Sequence, residues 1–200
     1  MLSVLLVGLV GLLAVTRLLE LRVSRRHRRA LVESGARPIE ERGFLVMVFL
    51  HVAVLVGAIV EPLVTHRSVP VWLGVTAGAG VVGASLLRVL AIQSLGRHWN
   101  VRVIDSTALG VVTSGPYRFV RHPNYAAVFL ELLLLPLVQG AWLTAALGSA
   151  LHVFVLRRRI LLEEAVLLAH PEYRASMGGK PRFLPRLWRP APALAQTEKS

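Results

Sequence analysis

The chain has 200 residues, 54% of them hydrophobic, with a mean hydropathy of +0.61. A soluble core of this size needs far less apolar content, so the composition excludes an ordinary soluble domain and makes the bilayer the expected solvent. The lack of cysteine excludes disulfides and thiolate metal sites, and the net charge of +12 sits beside apolar runs, which favours anionic lipid over nucleic acid as a partner.

Spanning the hydrocarbon core takes roughly 20 mostly apolar residues. Residues 1–16 are uncharged up to Arg17, residues 43–60 carry only His51, and residues 71–87 carry no ionisable group. The first run has no basic segment before it, so a retained span is expected rather than a cleaved signal. The third run holds Gly74, Gly78, Gly80, Gly83 and Ala84, a small-residue face suited to close helix packing through Gly74 and Gly78. Its G-x-G-x-x-G match follows no strand and is discounted as a nucleotide fingerprint. The stretch 125–156, with Glu131 as its one charge, would be about 48 Å long as a single helix. Pro136, Gln139 and Gly140 interrupt it and predict a hairpin of two helices.

The expected fold is therefore all-α, a polytopic membrane bundle of about five transmembrane helices. Basic residues orient it: seven Arg lie in 22–42, four in 93–124, and nine Lys or Arg in 157–200, against Arg67 alone on the opposite side. This predicts an outside N-terminus and a cytoplasmic C-terminus. Arg25, Arg26, Arg28 and Arg29 are read as resting on lipid headgroups, Arg17 and Arg88 as snorkelling from inner span ends, and Trp99 and Trp188 as interfacial anchors. Glu61 and His66 fall at the outer edge, while His51, Glu131 and His152 lie within spans, with Glu131 a candidate for lining an acceptor tunnel. The expected organisation is a three-span region over 1–92, a core over 93–188 and a disordered tail over 189–200. A basic segment, 173–188, is expected against the membrane surface.

Chemistry is expected in two polar elements. In the first, residues 93–125, Ser114-Gly115-Pro116 signals a turn and His122-Pro123 keeps the residue before proline out of helical geometry. Such backbone at a membrane boundary either lines an enclosed cavity, with Tyr117, His122 and Tyr125 projecting into it, or forms an ordinary interfacial loop. In the second, starting at Arg157, Arg159 and Glu163 stand four apart on one helical face, either as a surface ion pair or as part of a site that takes a cationic partner. No histidine spacing suggests a metal.

Taken together, G-P-Y-R-F-V-R-H-P-N-Y and the later R-R-I-L-L-E-E resemble the isoprenylcysteine carboxyl methyltransferase family and the wider group of membrane phospholipid methyltransferases. The resemblance covers roughly residues 90–188. It implies an S-adenosylmethionine site built from Leu109, Gly110, Val111, Val112, Tyr117, His122, Pro123, Asn124, Tyr125 and Glu163, with Arg159 contacting the substrate. A cofactor-contacting glutamine of eukaryotic members has no clear counterpart. The implied activity is O-methylation of a lipophilic acceptor drawn from the bilayer: a phenolic lipid or alkylpyrone, which bacterial members with L-G-R-H-W-N favour, or an isoprenylcysteine-like carboxylate. Such an enzyme would sit in a bacterial inner membrane with its site facing the cytoplasm. A carboxylate acceptor needs no general base, whereas a phenol or enol does, and His122 or Glu164 is then the candidate. The competing readings are phospholipid N-methylation, an NADPH-dependent steroid-type reductase, and a non-enzymatic transporter or scaffold.

Overall fold

The computed structural model describes residues 2–41 and 43–185. Trp188 and the expected tail lie outside the described residues. Five long helices, Leu2–Glu33 (α1), Phe44–Thr65 (α2), Val71–Leu95 (α3), Pro123–Leu137 (α4) and Trp142–Leu167 (α5), are followed by a short one, Pro171–Met177 (α6). Strands Arg37–Pro38 (β1) and Ile104–Asp105 (β2) pair antiparallel, with Arg37 opposite Asp105 and Pro38 opposite Ile104. This small addition to the expected all-helical fold ties the α1–α2 connection to the long loop after α3.

The segments Phe44–Thr65 and Val71–His98 are long and apolar enough to cross a membrane. Bulky apolar side chains such as Phe49, Val64, Trp72, Leu86, Leu143 and Leu151 face outward and exposed. A surface of that kind is costly in water and suits lipid. The shorter α4 fills the middle, against α3, α5 and α2, and buries Ala127, Val128, Leu132 and Leu135. Val10 and Leu13 of α1, Ala77 and Val81 of α3, and Leu135 and Val138 form one core cluster.

The α3 contact face runs through Gly74, Ala77, Val81, Ala84, Arg88 and Ala91, all buried. Gly80 lets Leu134 approach so closely that a β-carbon there would lie 2.7 Å from its Cδ1. Gly78 and Gly83 have open space where a β-carbon would stand, so the close approach is made at Gly80 and not at Gly78. The expected hairpin is present: α4 ends just after Pro136, Gly140 adopts φ +73°, and α5 begins at Trp142.

Three expectations about polar residues are corrected. Arg17 and Arg88 do not snorkel: α1 continues unbroken through Arg17, and both guanidinium groups turn inward onto Glu20, where charge pairing replaces solvation. Trp99 is 2% exposed and packs edge-on against His27, so it is an interior residue. The segment from Tyr173 onward does not simply rest on the membrane surface, because Tyr173 and Met177 are buried against Ala91 and Tyr117.

Glu61, expected at an edge, caps α5 from the end of α2. It accepts from Leu143 N at 3.0 Å, Thr144 N at 2.8 Å and Thr144 Oγ1 at 2.7 Å, taking up first-turn N–H groups with no intrahelical partner. Replacing Glu61 by Ala is expected to lower stability by about 1 kcal/mol, read as a lower thermal midpoint in lipid nanodiscs. An unchanged midpoint would mean that the cap is redundant.

Candidate active site

Gly96, with φ +51°, ends α3, and the chain then crosses beneath the bundle. α1 holds the first part of that crossing. Ser24 Oγ accepts from Val101 N at 3.0 Å, the Ser24 carbonyl accepts from Asn100 Nδ2 at 3.0 Å, and His27 Nδ1 donates to the Trp99 carbonyl at 3.0 Å. A tight turn over Gly115–Arg118 then buries Tyr117, and His122, at φ −127° and ψ 55°, leads into Pro123 at the first turn of α4. The non-helical backbone here finds partners in the C-terminal segment. Arg121 N donates to the Pro181 carbonyl and His122 N to the Arg182 carbonyl, each at 2.9 Å, while Lys180 Nζ donates to the Tyr117 carbonyl at 2.8 Å.

The adjacent carboxylates of α5 divide the work. Glu164 binds Arg182 through Nε and Nη2, meets His122 Nε2 at 3.0 Å and lies 3.3 Å from Arg121. It thereby fastens the C-terminal segment to the bend before α4. Glu163 instead accepts from the Tyr125 hydroxyl. That hydroxyl in turn accepts from Arg159 Nε at 2.8 Å, so Arg159 and Glu163 form a relay with the phenol between their charges, Arg159 buried and Glu163 half-buried. His122 stacks on the Tyr125 ring with centroids 5.4 Å apart.

Arg159 is held at all three nitrogens. Besides Tyr125, it donates through Nη2 to the Val101 carbonyl and pairs through Nη1 with Glu41 at 3.0 Å. Glu41, in the α1–α2 connection, was not singled out from the sequence. Its side chain is 6% exposed, and its Oε2 has no hydrogen-bond partner among the described residues. Nothing local marks it, since its partner lies across the fold on α5.

Two cavities meet at this relay. A polar cleft at the end of the bundle where α3 leaves and α4 begins is lined by Gly110, Val111, Val112, Tyr117, His122, Asn124, Tyr125, Arg159 and Glu163. All the expected site residues but two therefore come together. Leu109 closes the preceding short turn and Pro123 is wholly buried in the bend, so both shape the backbone without lining the cleft. Trp99, Asn100, Arg121, Tyr173 and Met177 also line it. Burial, with the charge of Glu163, pushes the Tyr117 phenol well above its ordinary value, so it stays neutral there. The second cavity, about 360 Å³ and mostly apolar, lies among α1, α2, α4 and α5 and includes Leu18, Val52, Leu55, Val128 and Leu156. The two share Trp99, Asn100, Asn124, Tyr125 and Arg159. Glu131 lines neither; it is buried and accepts from Arg17 and from Ser85 at 2.9 Å.

Residues 75–173, which supply nearly all of the cleft, match the family model for the isoprenylcysteine carboxyl methyltransferase (ICMT) family. The chain belongs to this family. It is 31% identical over 160 residues to the uncharacterised protein YpbQ of Bacillus subtilis, an alignment covering 80% of this chain and 94% of that one. It is also 28% identical over 155 residues to an uncharacterised protein of Haemophilus influenzae, covering 76% and 88%. ICMT membership implies methyl transfer at a membrane, and the matched residues include the bend at His122, the hairpin and the relay on α5.

The outer lip of the cleft is latched by Asp105 of β2, which meets His170 Nε2 at 2.9 Å, just before α6. Burial alone would raise the Asp105 carboxyl, but hydrogen bonds from Thr107 and His170 and the charge of His170 hold it below its ordinary 3.8. A depressed folded value means stability that is complete above the unfolded value and lost as pH falls through the folded one. The wild-type protein is therefore expected to be more stable than Asp105→Asn above the ordinary carboxylate range, by a margin that closes as pH falls through the folded value of Asp105. Thermal midpoints across pH check this; a gap that closes above pH 5 would contradict it.

Proposed function

We propose that this protein is an integral membrane O-methyltransferase that uses S-adenosylmethionine to methylate a lipophilic acceptor. The observation that carries the reading is the meeting of a polar cleft and an apolar cavity at Asn124, Tyr125 and Arg159. A polar methyl donor and an apolar acceptor require such compartments, with their reacting atoms brought together at the junction.

The cleft fits the donor in its own chemistry. Buried polar atoms without a protein partner, Trp99 Nε1, Arg121 Nε and Asn124 Oδ1, belong to residues lining it and supply two donors and one acceptor to a ligand. Glu163 offers negative charge to a sulfonium or ammonium group, and Gly110, Val111, Val112, Tyr117, His122 and Tyr125 complete the walls. Leu109 and Pro123 act by setting the loop's course. When bound, S-adenosylmethionine supplies an electrophilic methyl group on a positively charged sulfur.

The protein's share is orientation and exclusion of water. Arg159, fixed by Tyr125, Val101 and Glu41, presents a rigid guanidinium at the junction to orient the acceptor oxygen. Because Glu41 already neutralises Arg159, a neutral phenol or enol suits the site better than a carboxylate. That favours a phenolic lipid or alkylpyrone over an isoprenylcysteine-like acid. A hydroxyl acceptor has a proton to lose; Glu41, whose Oε2 is unpartnered among the described residues, pairs with Arg159 but lines neither cavity and so is not placed to take it. Glu164 and His122 are bound to each other, with Glu164 also holding Arg182 and Arg121.

The same reading takes α1 to α5 as five spans, with the N-terminus outside and the cleft and C-terminus in the cytoplasm of a bacterial inner membrane. The clustering of Lys and Arg at 22–42, 93–124 and 157–200 supports this orientation, with exposed members such as Arg25, Arg26, Arg28 and Arg29 facing anionic lipid.

Purified protein in nanodiscs is expected to bind S-adenosylhomocysteine, and Tyr125→Ala and Glu163→Ala to weaken that binding about tenfold or more. Lipid extracts from cells with and without the protein are expected to differ by phenolic species carrying one added methyl group. Folded protein with no such affinity, or with NADPH oxidation in its place, would overturn the reading.

A further inference from the structure

The apolar cavity is not apolar throughout. About 9 Å from the Tyr125 level, taken as six residues along α4, lies a layer of charge. Arg88 donates to Glu20 through Nε at 2.8 Å and through Nη2, Arg17 donates to Glu20 at 3.0 Å and to Glu131, and Ser85 donates to Glu131. His51 and His152 meet edge to face at the same depth, with ring centroids 5.3 Å apart. Along α5, His152 stands seven residues, about 10 Å, before Arg159.

Most of this layer is satisfied internally, and its two Arg and two Glu balance. Two atoms are not satisfied. Arg88 Nη1 and His152 Nδ1 are buried and have no hydrogen-bond partner among the described residues. Both side chains line the cavity, and the residues are 8% and 2% exposed. A buried guanidinium N–H without an acceptor is costly, and a layer held only for helix packing does not require one. The balanced charge also limits what fits, because an anion would be left uncompensated in a dry interior.

We propose that this layer is a second polar subsite of the acceptor cavity. It takes a neutral hydrogen-bond acceptor, a carbonyl or ether oxygen, carried by the lipophilic ligand about 9–10 Å from the oxygen held at Arg159. Arg88 Nη1 donates to that oxygen, and His152 offers its second contact. The subsite rests on the proposed function for the identity of the Arg159 end, whereas the unpartnered donor is a property of the cavity itself. The ligand is thus a chain with one oxygen function at its reacting end and another partway along, and a plain alkyl chain leaves the subsite empty.

The test uses two synthetic phenols with long side chains, one bearing a carbon-13-labelled ketone at that spacing and the other a methylene there. Equilibrium binding and the infrared carbonyl stretch are measured on full-length protein in nanodiscs, with S-adenosylhomocysteine affinity read in the same samples. The ketone is expected to bind about tenfold more tightly than the methylene compound, with its stretch shifted to lower frequency. Arg88→Lys keeps a charge for Glu20 but lacks the free arm, and is expected to abolish both effects while leaving S-adenosylhomocysteine binding intact. Should that variant fail to fold, His152→Leu is expected to reduce the ketone's advantage severalfold. Equal affinities with an unshifted stretch would overturn the subsite and assign the layer to water or to packing alone. Ketone preference without any S-adenosylhomocysteine binding would uphold the subsite and remove the methyl-transfer reading.

Discussion

The Tyr125 hydroxyl, donating to Glu163 and accepting from Arg159, is the contact on which the arrangement turns. A half-buried carboxylate and a buried guanidinium each need partners to offset desolvation, and one phenol serves both. It also connects the first turn of α4 to the C-terminal half of α5, and so draws together the two elements that carry the motifs. Without that bridge Glu163 would have no described hydrogen-bond donor, and the boundary between cleft and cavity would lose its central member.

Other contacts serve to keep this one in place. Arg159 reaches Val101, which Ser24 positions from α1, and Glu41, which the β1–β2 pairing helps draw toward the loop after α3. On the opposite side, Glu164 gathers Arg121, His122 and Arg182, so that the chain after α6 is fastened to the bend before α4. Orientation in methyl transfer depends on rigid support of this kind more than on any single reactive group. Deeper in the bundle, the paired charges around Glu20 allow arginines to stand among lipid-facing helices without reaching for water.

Local chemistry made much of this legible in the sequence. Proline at 123 constrains His122, the break at Pro136–Gly140 marks the hairpin, and the apolar runs correspond to helices. Tyr117, His122, Asn124, Tyr125, Arg159 and Glu163, all within the two motifs, line one cleft. What could not be read is pairing across long stretches of chain. Glu41 finds Arg159, Arg88 finds Glu20, and Lys180 finds the Tyr117 carbonyl, and neither hydropathy nor spacing encodes such choices. For the same reason hydropathy assigns Trp99 to an interface and has Arg17 snorkel from a span end, whereas both turn inward. A rule that weighs a side chain only against lipid and water cannot see that the fold supplies a third environment.

The most direct test of the account is photolabelling of full-length protein in nanodiscs with an azido-adenosyl analogue of S-adenosylhomocysteine, followed by peptide mass spectrometry. Labels in both 98–125 and 159–177, competed away by unlabelled S-adenosylhomocysteine, are the predicted result. Labelling confined to one of these stretches, or found only elsewhere in the chain, would contradict a cofactor cleft formed by their convergence on Tyr125.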